Sequence, residues 1–467
     1  LTLGLFPVSE KRAIITPVIK KESLDKDDLM NYRPVSQLTF LSKFIERVIS
    51  NRVDAFLSAH SLLPPFQSAY RKFHSTETLL VHLCNELSVA RGKRMVSCLI
   101  SLDLSAAFDT VDHTLLLDRL FHSFGFSGTV LQLFSSYLSG RSNFVSVDSS
   151  SSELFSLPFG VPQGSVLGPR LYSLYVAPVS SIINSYNISH HVYADDTCIF
   201  VSFSSTMSDS TASNVEHCLI HLCDWFNCNF LKLNPTKTNI LLFNTDKIDA
   251  PLNINVLGHS PSVTNSLKYL GVLFDDSLMF DKHVITVCKS AFIFLRSLYR
   301  IRRFLKRDTV LLVINAFVMS RIDYCNAILS YCNKYSIKRL QRVQNCFARL
   351  VYCLPRFSST SALIKQLGWL RIAQRVDFKL CCLAHKCIYG SCPDYLKNLI
   401  APVSSSATPL FLRSTSKCLL YCPISRASFV RRSFSFCVPR LWNSVPDYIR
   451  CERRYFVFRR LLKDYLL

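Results

Sequence analysis

The chain has 467 residues, 49% of them hydrophobic and 18% charged, with a formal net charge of +22. That apolar fraction excludes a disordered polyelectrolyte, and the length leaves room for two or three domains at the usual ~100–200 residues each. There is no uninterrupted run of about 18 apolar residues, which argues against a membrane span. The nineteen cysteines are scattered and odd in number. They read as buried thiols of a reducing compartment, not as a disulfide framework. The opening Leu1-Thr-Leu-Gly-Leu-Phe-Pro7 has no initiator Met and no basic stretch before an apolar core, so it is expected to be the start of a fragment and not a signal peptide.

In chain order, residues 1–95 mix short apolar runs with breakers at Asn31-Tyr-Arg-Pro34, Leu63-Pro-Pro-Phe66 and Arg91-Gly-Lys-Arg94. Between them Phe40 to Leu57 reads as a helix. Met95 to Leu102 is a strand-like run that stops at Asp103. Asp112 suits the N-cap of a helix over Thr114–Phe124, with Gly125 as its stop. Phe144–Val147 and Leu154–Leu157 form a hairpin pattern around Asp148–Ser152. A helix through Leu171, Leu174 and Tyr175 follows Gly160-Val-Pro-Gln-Gly-Ser165, and two apolar arms, His191–Tyr193 and Thr197–Phe203, flank Asp195-Asp196. Strand and helix signals alternate to about Val272, and beyond Phe280 the pattern is almost all helix. The Ser/Pro-rich stretch Pro402–Pro409 is the best linker candidate, and there is no internal repeat.

Charge is divided unevenly. Residues 281–467 hold 33 Lys and Arg against 8 Asp and Glu, whereas residues 1–280 hold 21 against 24. A near-neutral part joined to a strongly basic one is the footprint of a polyanion partner. Between Val284 and Arg307 the residues Val287, Ala291, Phe294, Leu298 and Ile301 form one apolar stripe at helical spacing. Lys289, Arg296, Arg300, Arg303 and Arg307 recur on the opposite face, where they suit a phosphate backbone. Lys338, Arg339, Arg342 and Arg349 repeat the pattern. An ordinary solvated helix face is the plainer reading of either helix alone.

Asp195 and Asp196 sit between apolar arms, where adjacent carboxylates repel and are poorly hydrated unless a cation compensates them. Asp103 ends another buried-type strand. Three carboxylates at neighbouring strand ends suit two Mg²⁺ ions ~3.5–4 Å apart, an arrangement for in-line displacement at phosphorus.

Tyr193-Ala-Asp-Asp196 resembles the catalytic box of reverse transcriptases. Leu102-Asp-Leu-Ser-Ala-Ala-Phe-Asp-Thr-Val-Asp-His113 resembles the acidic motif before it, and Gly160-Val-Pro-Gln-Gly-Ser-Val-Leu-Gly-Pro169 the motif between them. Asn31-Tyr-Arg-Pro-Val-Ser36, Gln67-Ser-Ala-Tyr-Arg71, Leu233-Asn-Pro-Thr-Lys-Thr238 and Leu267-Lys-Tyr-Leu-Gly271 fall in the family's order too. The set is similar to LINE-type, non-LTR retrotransposon polymerases of jockey-like flavour. It covers roughly residues 10–275, with a looser likeness, including Arg440-Leu-Trp-Asn-Ser-Val-Pro446, to the end.

The resemblance implies an α+β right-hand polymerase fold with an antiparallel-sheet palm. Fingers and palm would occupy residues 1–275, a helical thumb 276–370, and a basic helical C-terminal region 371–467. It implies RNA-directed DNA synthesis with two Mg²⁺ ions (Mn²⁺ able to substitute) on an RNA template, a DNA primer or target, and dNTPs, in nucleus and cytoplasm with no membrane partner. Asp103, Asp195 and Asp196 would be catalytic and metal-holding, with the Leu104 carbonyl a further ligand. Phe108 would be the steric gate against a ribose 2′-OH, Gln163 would meet the nascent base pair, and Lys237 would stand near the leaving pyrophosphate. Arg71, Arg33 and Lys20 would face the triphosphate. Intact members carry an endonuclease; none precedes residue 1, so the chain is expected to extend primers without cutting a target.

Departures are visible. Ala69-Tyr-Arg-Lys-Phe73 lacks both glycines of the usual Gly-Phe-Arg-x-Gly, Arg170 replaces an apolar residue at a helix start, and Ala177-Pro178 replaces an Asn-Asp pair. They leave open a catalytically inactive remnant that only binds nucleic acid. A metal-dependent nuclease would use carboxylates but gives no reason for Phe108 and Gln163. His217-Cys218 with His221 and Cys223 has a helical spacing that suggests a zinc site, but the neighbouring Leu219, Leu222, Trp225 and Phe226 favour a packed helix; Cys381-Cys382, His385, Cys387 and Cys392 lack zinc-knuckle spacing and read as structural.

Overall fold

The computed structural model describes residues 3–105, 107–204, 208–234, 237–245, 264–403 and 418–467. In chain order, strands β1 (Arg12–Ile19) and β2 (Tyr32–Gln37) lead to helices α1 (Phe40–Ala59) and α2 (Thr76–Gly92), then to β3 (Val96–Leu102) and the short β4 (Leu104–Ser105). Helices α3 (His113–His122) and α4 (Gly128–Leu138) precede β5 (Ser142–Val147), β6 (Ser150–Ser151) and β7 (Phe155–Ser156). Helices α5 (Gly168–Tyr175) and α6 (Pro178–Ser185) bring the chain to the hairpin β8 (Ser189–Tyr193) and β9 (Asp196–Phe203). Then come α7 (Ser208–Cys228), β10 (Lys232–Leu233), β11 (Asn239–Phe243) and the hairpin β12 (Ser266–Tyr269) and β13 (Val272–Asp275).

Beyond Asp281 the described residues form helices. These are α8 (Asp281–Ile301), α9 (Arg307–Ile314), α10 (Ser320–Asp323), α11 (Lys334–Tyr352), α12 (Ser361–Gln366), α13 (Ile372–Ile388), α14 (Asp394–Lys397), α15 (Phe434–Ser444), α16 (Asp447–Arg450) and α17 (Tyr455–Leu466). The linker candidate Pro402–Pro409 lies outside the described residues from 404 onward.

Local signals explain the helix starts. The Thr39 hydroxyl accepts from the Ser42 N–H at the head of α1, Ser75 and Thr78 close a capping box on α2, and Asp112 accepts from Leu115 N–H on α3. Each satisfies an otherwise orphaned amide.

The central sheet runs β11-β3-β9-β8, every neighbour antiparallel. Its alternation explains why β3 reads as a continuous apolar run. Val96, Cys98, Ile100 and Leu102 enter one core with α3 to α7, while Leu99 enters a second core with α2 and the later helices. A strand buried on both faces needs no polar side. A separate sheet joins β2, β1 and β5, with β1 and β5 parallel and β1 and β2 antiparallel.

The second core is continuous from α2 through α8, α11 and α13 to α15 and α17. Residues 276–370 and 371–467 therefore share one apolar interior. All nineteen cysteines are free thiols, and no described helix is long and apolar enough to cross a membrane.

One expectation is corrected here. The basic helix predicted to Arg307 stops at Ile301, which is 50% exposed, and Arg302–Phe304 form a 3₁₀ turn before α9. The break is tertiary in origin. Arg302 donates from Nε to Leu350 O (3.0 Å), from Nη2 to Val351 O (2.8 Å) and from Nη1 to Leu305 O (2.9 Å). A guanidinium thereby caps the carbonyl end of α11. Arg302→Ala is expected to destabilise the chain by about 2 kcal/mol, seen as a lower urea midpoint, with Arg302→Lys recovering only part of it because an ammonium cannot serve all three carbonyls.

Candidate active site

Asp103, Asp195 and Asp196 are brought together by strand register. Leu102 pairs with Thr197 across β3 and β9, and Tyr193 pairs with Asp196 across β8 and β9. One more step along β3 therefore sets Asp103 opposite Asp196, with Asp195 in the two-residue turn. Ala194 makes that turn in the left-handed region at φ 58°, a conformation costing a non-glycine residue roughly 1 kcal/mol. The turn is tight enough to aim two successive carboxylates at the end of β3.

Their electrostatics record the crowding. Burial, followed by the charges of Asp195 and Asp103, pushes the Asp196 carboxyl up to about 6. Burial also raises Asp195; Asp103 adds to the rise, while a backbone hydrogen bond and Arg33 oppose it. Lys237 Nζ stands 3.1 Å from Asp103 Oδ2. Among the described residues no group of three or more His, Cys, Asp or Glu side chains is drawn into one metal-binding cluster. The acids still see one another's charge, and Asp103 already holds an ammonium. The donor set nonetheless fits a hard divalent cation, since it is all carboxylate oxygen, partly desolvated, and already attracts a positive group. Leu104, the fourth expected ligand, lies in β4 paired with Leu233.

The residues expected around the acids are distributed as follows. The Phe108 ring stacks on Tyr172 at 4.6 Å between centroids, and its carbonyl accepts from Val161 N–H at 2.9 Å. Gln163 is engaged differently from the expectation. Its Nε2 donates to both carboxylate oxygens of Asp109 at 2.9 Å, so this end of the amide is held by the protein. The backbone on either side is equally tight. Ser36 N–H donates to Gln163 O at 2.7 Å. A Cβ on Gly164 (φ +125°) would lie 2.4 Å from Ser36 O, and one on Gly160 (φ +84°) 2.8 Å from Asp109 O. Only glycine permits this approach of loop to strand.

Lys20 donates to Met30 O at 2.7 Å and its charge bears on Asp109, while that of Arg33 bears on Asp195. The β1–β2 hairpin thus turns two cations toward the acidic side. Arg71 is not brought there. Its Nη1 donates to Pro64 O at 2.8 Å, and its charged neighbours are Asp394 and Arg170.

On α8, Lys289, Arg296 and Arg300 are exposed opposite the buried Val284, Cys288, Ala291 and Leu298. Arg303 lies in the 3₁₀ turn, and Arg307 begins α9 with Nη2 donating to Tyr352 OH at 2.7 Å, so the five cations do not share one helix. Lys289 and Arg296 instead meet Arg339 and Arg342 of α11 across a groove of about 600 Å³ with Phe292 and Tyr335.

Two tyrosines near the acids escaped the sequence reading. Tyr172 is fully buried, its hydroxyl lacks a protein partner, and burial with the charges of Asp195 and Asp196 raises its phenol. The Tyr70 phenol is raised by burial and by Asp195. Tyr70 lies in the Gln67–Arg71 segment and Tyr172 three residues beyond Pro169, but neither residue type signals proximity to a carboxylate.

An antiparallel palm carrying strand-end carboxylates, with fingers ahead of it and helices behind, defines a right-hand polymerase. Residues 19–274 match the reverse transcriptase (RNA-dependent DNA polymerase) family, and the chain belongs to that family. It is 28% identical over 382 residues to the "Probable RNA-directed DNA polymerase from transposon X-element" of Drosophila melanogaster, covering 80% of this chain and 41% of that protein. It is 31% identical over 294 residues to the RNA-directed DNA polymerase from mobile element jockey of Drosophila funebris, covering 62% of this chain and 31% of that one. The chain thus spans about two fifths or less of the length of these two relatives. Apo telomerase from Candida tropicalis superposes with a TM-score of 0.42 at 10% identity, covering 77% of this chain and 66% of that one.

The raised Asp196 has a measurable consequence. Its folded value of about 6 exceeds the ~3.9 of an unfolded chain, so the native state binds more protons between those values and loses stability as pH rises through them. In metal-free buffer Asp196→Asn is expected to stabilise the protein on the order of 1 kcal/mol at pH 8, after discounting for solvent screening, and by much less near pH 4. Thermal midpoints at the two pH values check it.

Proposed function

We propose that this chain is the polymerase of a non-LTR retrotransposon and synthesises DNA on an RNA template, adding deoxynucleotides to a primer 3′-OH. The observation that carries the reading is the meeting of Asp103, Asp195 and Asp196 at the end of the central sheet, where burial, with the charges of Asp195 and Asp103 adding to it, pushes the Asp196 carboxyl up to about 6. RNA template, DNA primer and dNTPs are the partners it implies, and access to a chromosomal target places its action in the nucleus. Fingers and palm occupy residues 1–275, the thumb 276–370, and the basic C-terminal region 371–467, the last two sharing a core.

Asp103, Asp195 and Asp196 would hold the divalent ions, with the Leu104 carbonyl as a further ligand. When bound, Mg²⁺ supplies Lewis acidity that lowers the pKa of the attacking hydroxyl and neutralises the leaving pyrophosphate. The protein's own groups do the rest. Lys237, beside Asp103, is placed to hold charge or deliver a proton at the pyrophosphate. Lys20 and Arg33 meet the triphosphate from the β1–β2 hairpin. Phe108, held by Tyr172 beneath it, fills the space a 2′-OH would take. Gln163 acts through Asp109, fixing the loop against which the incoming base pair rests.

Primer extension by purified protein with Mg²⁺ tests this. Asp195→Ala is expected to lower the rate on the order of 10³-fold, the scale for losing a principal electrostatic group. Equal extension after that change would overturn the proposal. Phe108→Val is expected to raise ribonucleotide incorporation relative to deoxynucleotide by at least about tenfold, read from rNTP against dNTP extension ratios.

A further inference from the structure

Arg170 is the charged residue at a helix start where an apolar one is usual, and polymerisation gives it no task. It is 6% exposed, and its Nη2 pairs with Asp54 of α1. Nε and Nη1 are buried with no hydrogen-bond partner. Two orphaned donors on a buried guanidinium are costly, and a site of this kind calls for an acceptor that the protein does not supply. On α5, Arg170 lies two residues before Tyr172, roughly 200° around the helix. Tyr172 is directed to the acids, so Arg170 lies on the far side, where it lines a cleft of about 750 Å³.

The rest of the lining has a consistent chemistry. Arg71 is held at its wall by the loop carbonyls, Lys72 is exposed beside it, and Asp394 of the C-terminal region faces them. Phe73 is 48% exposed, with Lys72 Nζ 4.9 Å from its ring centroid. Three cations oppose two carboxylates, and one of those, Asp54, is already paired with Arg170.

We propose that this cleft is a second nucleic-acid site that binds single-stranded phosphodiester, a phosphate accepting from Arg170 and Arg71 while a base stacks on Phe73. Guanidinium forks suit the several acceptor oxygens of one phosphate. An exposed ring among cations is the platform a splayed base uses, which a free phosphate would leave in water. A single strand, unlike a duplex, presents both groups at once. The proposal rests on the polymerase reading only for the class of ligand. It is read without dNTPs, so it can fail while extension persists, and the converse also holds.

The test uses the full chain with its polymerase cleft saturated by unlabelled primer–template duplex. Short fluorescent RNA and DNA single strands carrying 5-iodouracil are then titrated and photo-crosslinked. The expected crosslink falls on the peptide containing Phe73. Phe73→Ala should weaken binding about fivefold or more, and Arg170→Leu should flatten the salt dependence by about one counterion. Tighter binding of one strand supports the proposal and identifies it as RNA or DNA. Phe73 is exposed, so its variant stands if Arg170→Leu folds poorly, and melting curves check both. Crosslinks confined to other segments, or affinities unchanged in both variants, would overturn the proposal. So would inorganic phosphate raising the thermal midpoint of wild type but not of Arg170→Leu when no Phe73 crosslink forms, an outcome that assigns the cleft to free phosphate.

Discussion

Three carboxylates whose charges bear on one another at the end of a doubly buried sheet are the constraint around which the molecule is arranged. Strand β3 has no solvated face because both neighbouring cores claim its side chains, and Asp103 emerges just beyond its end. The β8–β9 turn adds two more negative charges at the same place. Such a cluster is tolerable only with positive charge nearby. The surrounding structure provides it through Lys237 on Asp103 and Arg33 near Asp195.

The glycine-rich loop before α5 gives this acidic centre its geometry. At Gly160 and Gly164 the backbone approaches two separate carbonyls, Asp109 O and Ser36 O, more closely than any side chain allows. Gln163 then ties the loop to Asp109 by a two-pronged hydrogen bond. The segment after β3, the β1–β2 hairpin and the start of α5 are thereby linked through one short stretch of chain. Tyr172 extends the linkage by supporting the Phe108 ring. The Phe108 ring and the loop beside the acids thus share one scaffold.

Net charge overstates what the basic half can offer a polyanion. Arg302 caps α11, Arg349 Nε donates to Ser358 O, Arg375 pairs with Asp323, and Arg432 and Arg450 donate to the carbonyls of Tyr331 and Asn443. These guanidinium groups stabilise helix ends and loops where water is scarce. The cations left for a ligand are fewer and grouped, as on the facing sides of α8 and α11. Continuity of the core from α2 to α17 makes these helices one support behind the palm.

Short-range patterns made much of this protein legible in advance. The β3 run ending in Asp103, the arms around Asp195-Asp196, the Asp112 cap and the helical character after Phe280 are local properties. They depend on side-chain period, capping and turn chemistry, which neighbouring residues determine by themselves. What sequence could not decide were choices between partners of equal chemistry. Arg71 could reach a triphosphate or its own loop carbonyls, Gln163 a base pair or Asp109, and Arg302 solvent or the end of α11. Tyr172 carried no mark of its closeness to the acids. Each outcome depends on which distant segment lies within hydrogen-bond reach, and that distance exists only after the chain has packed.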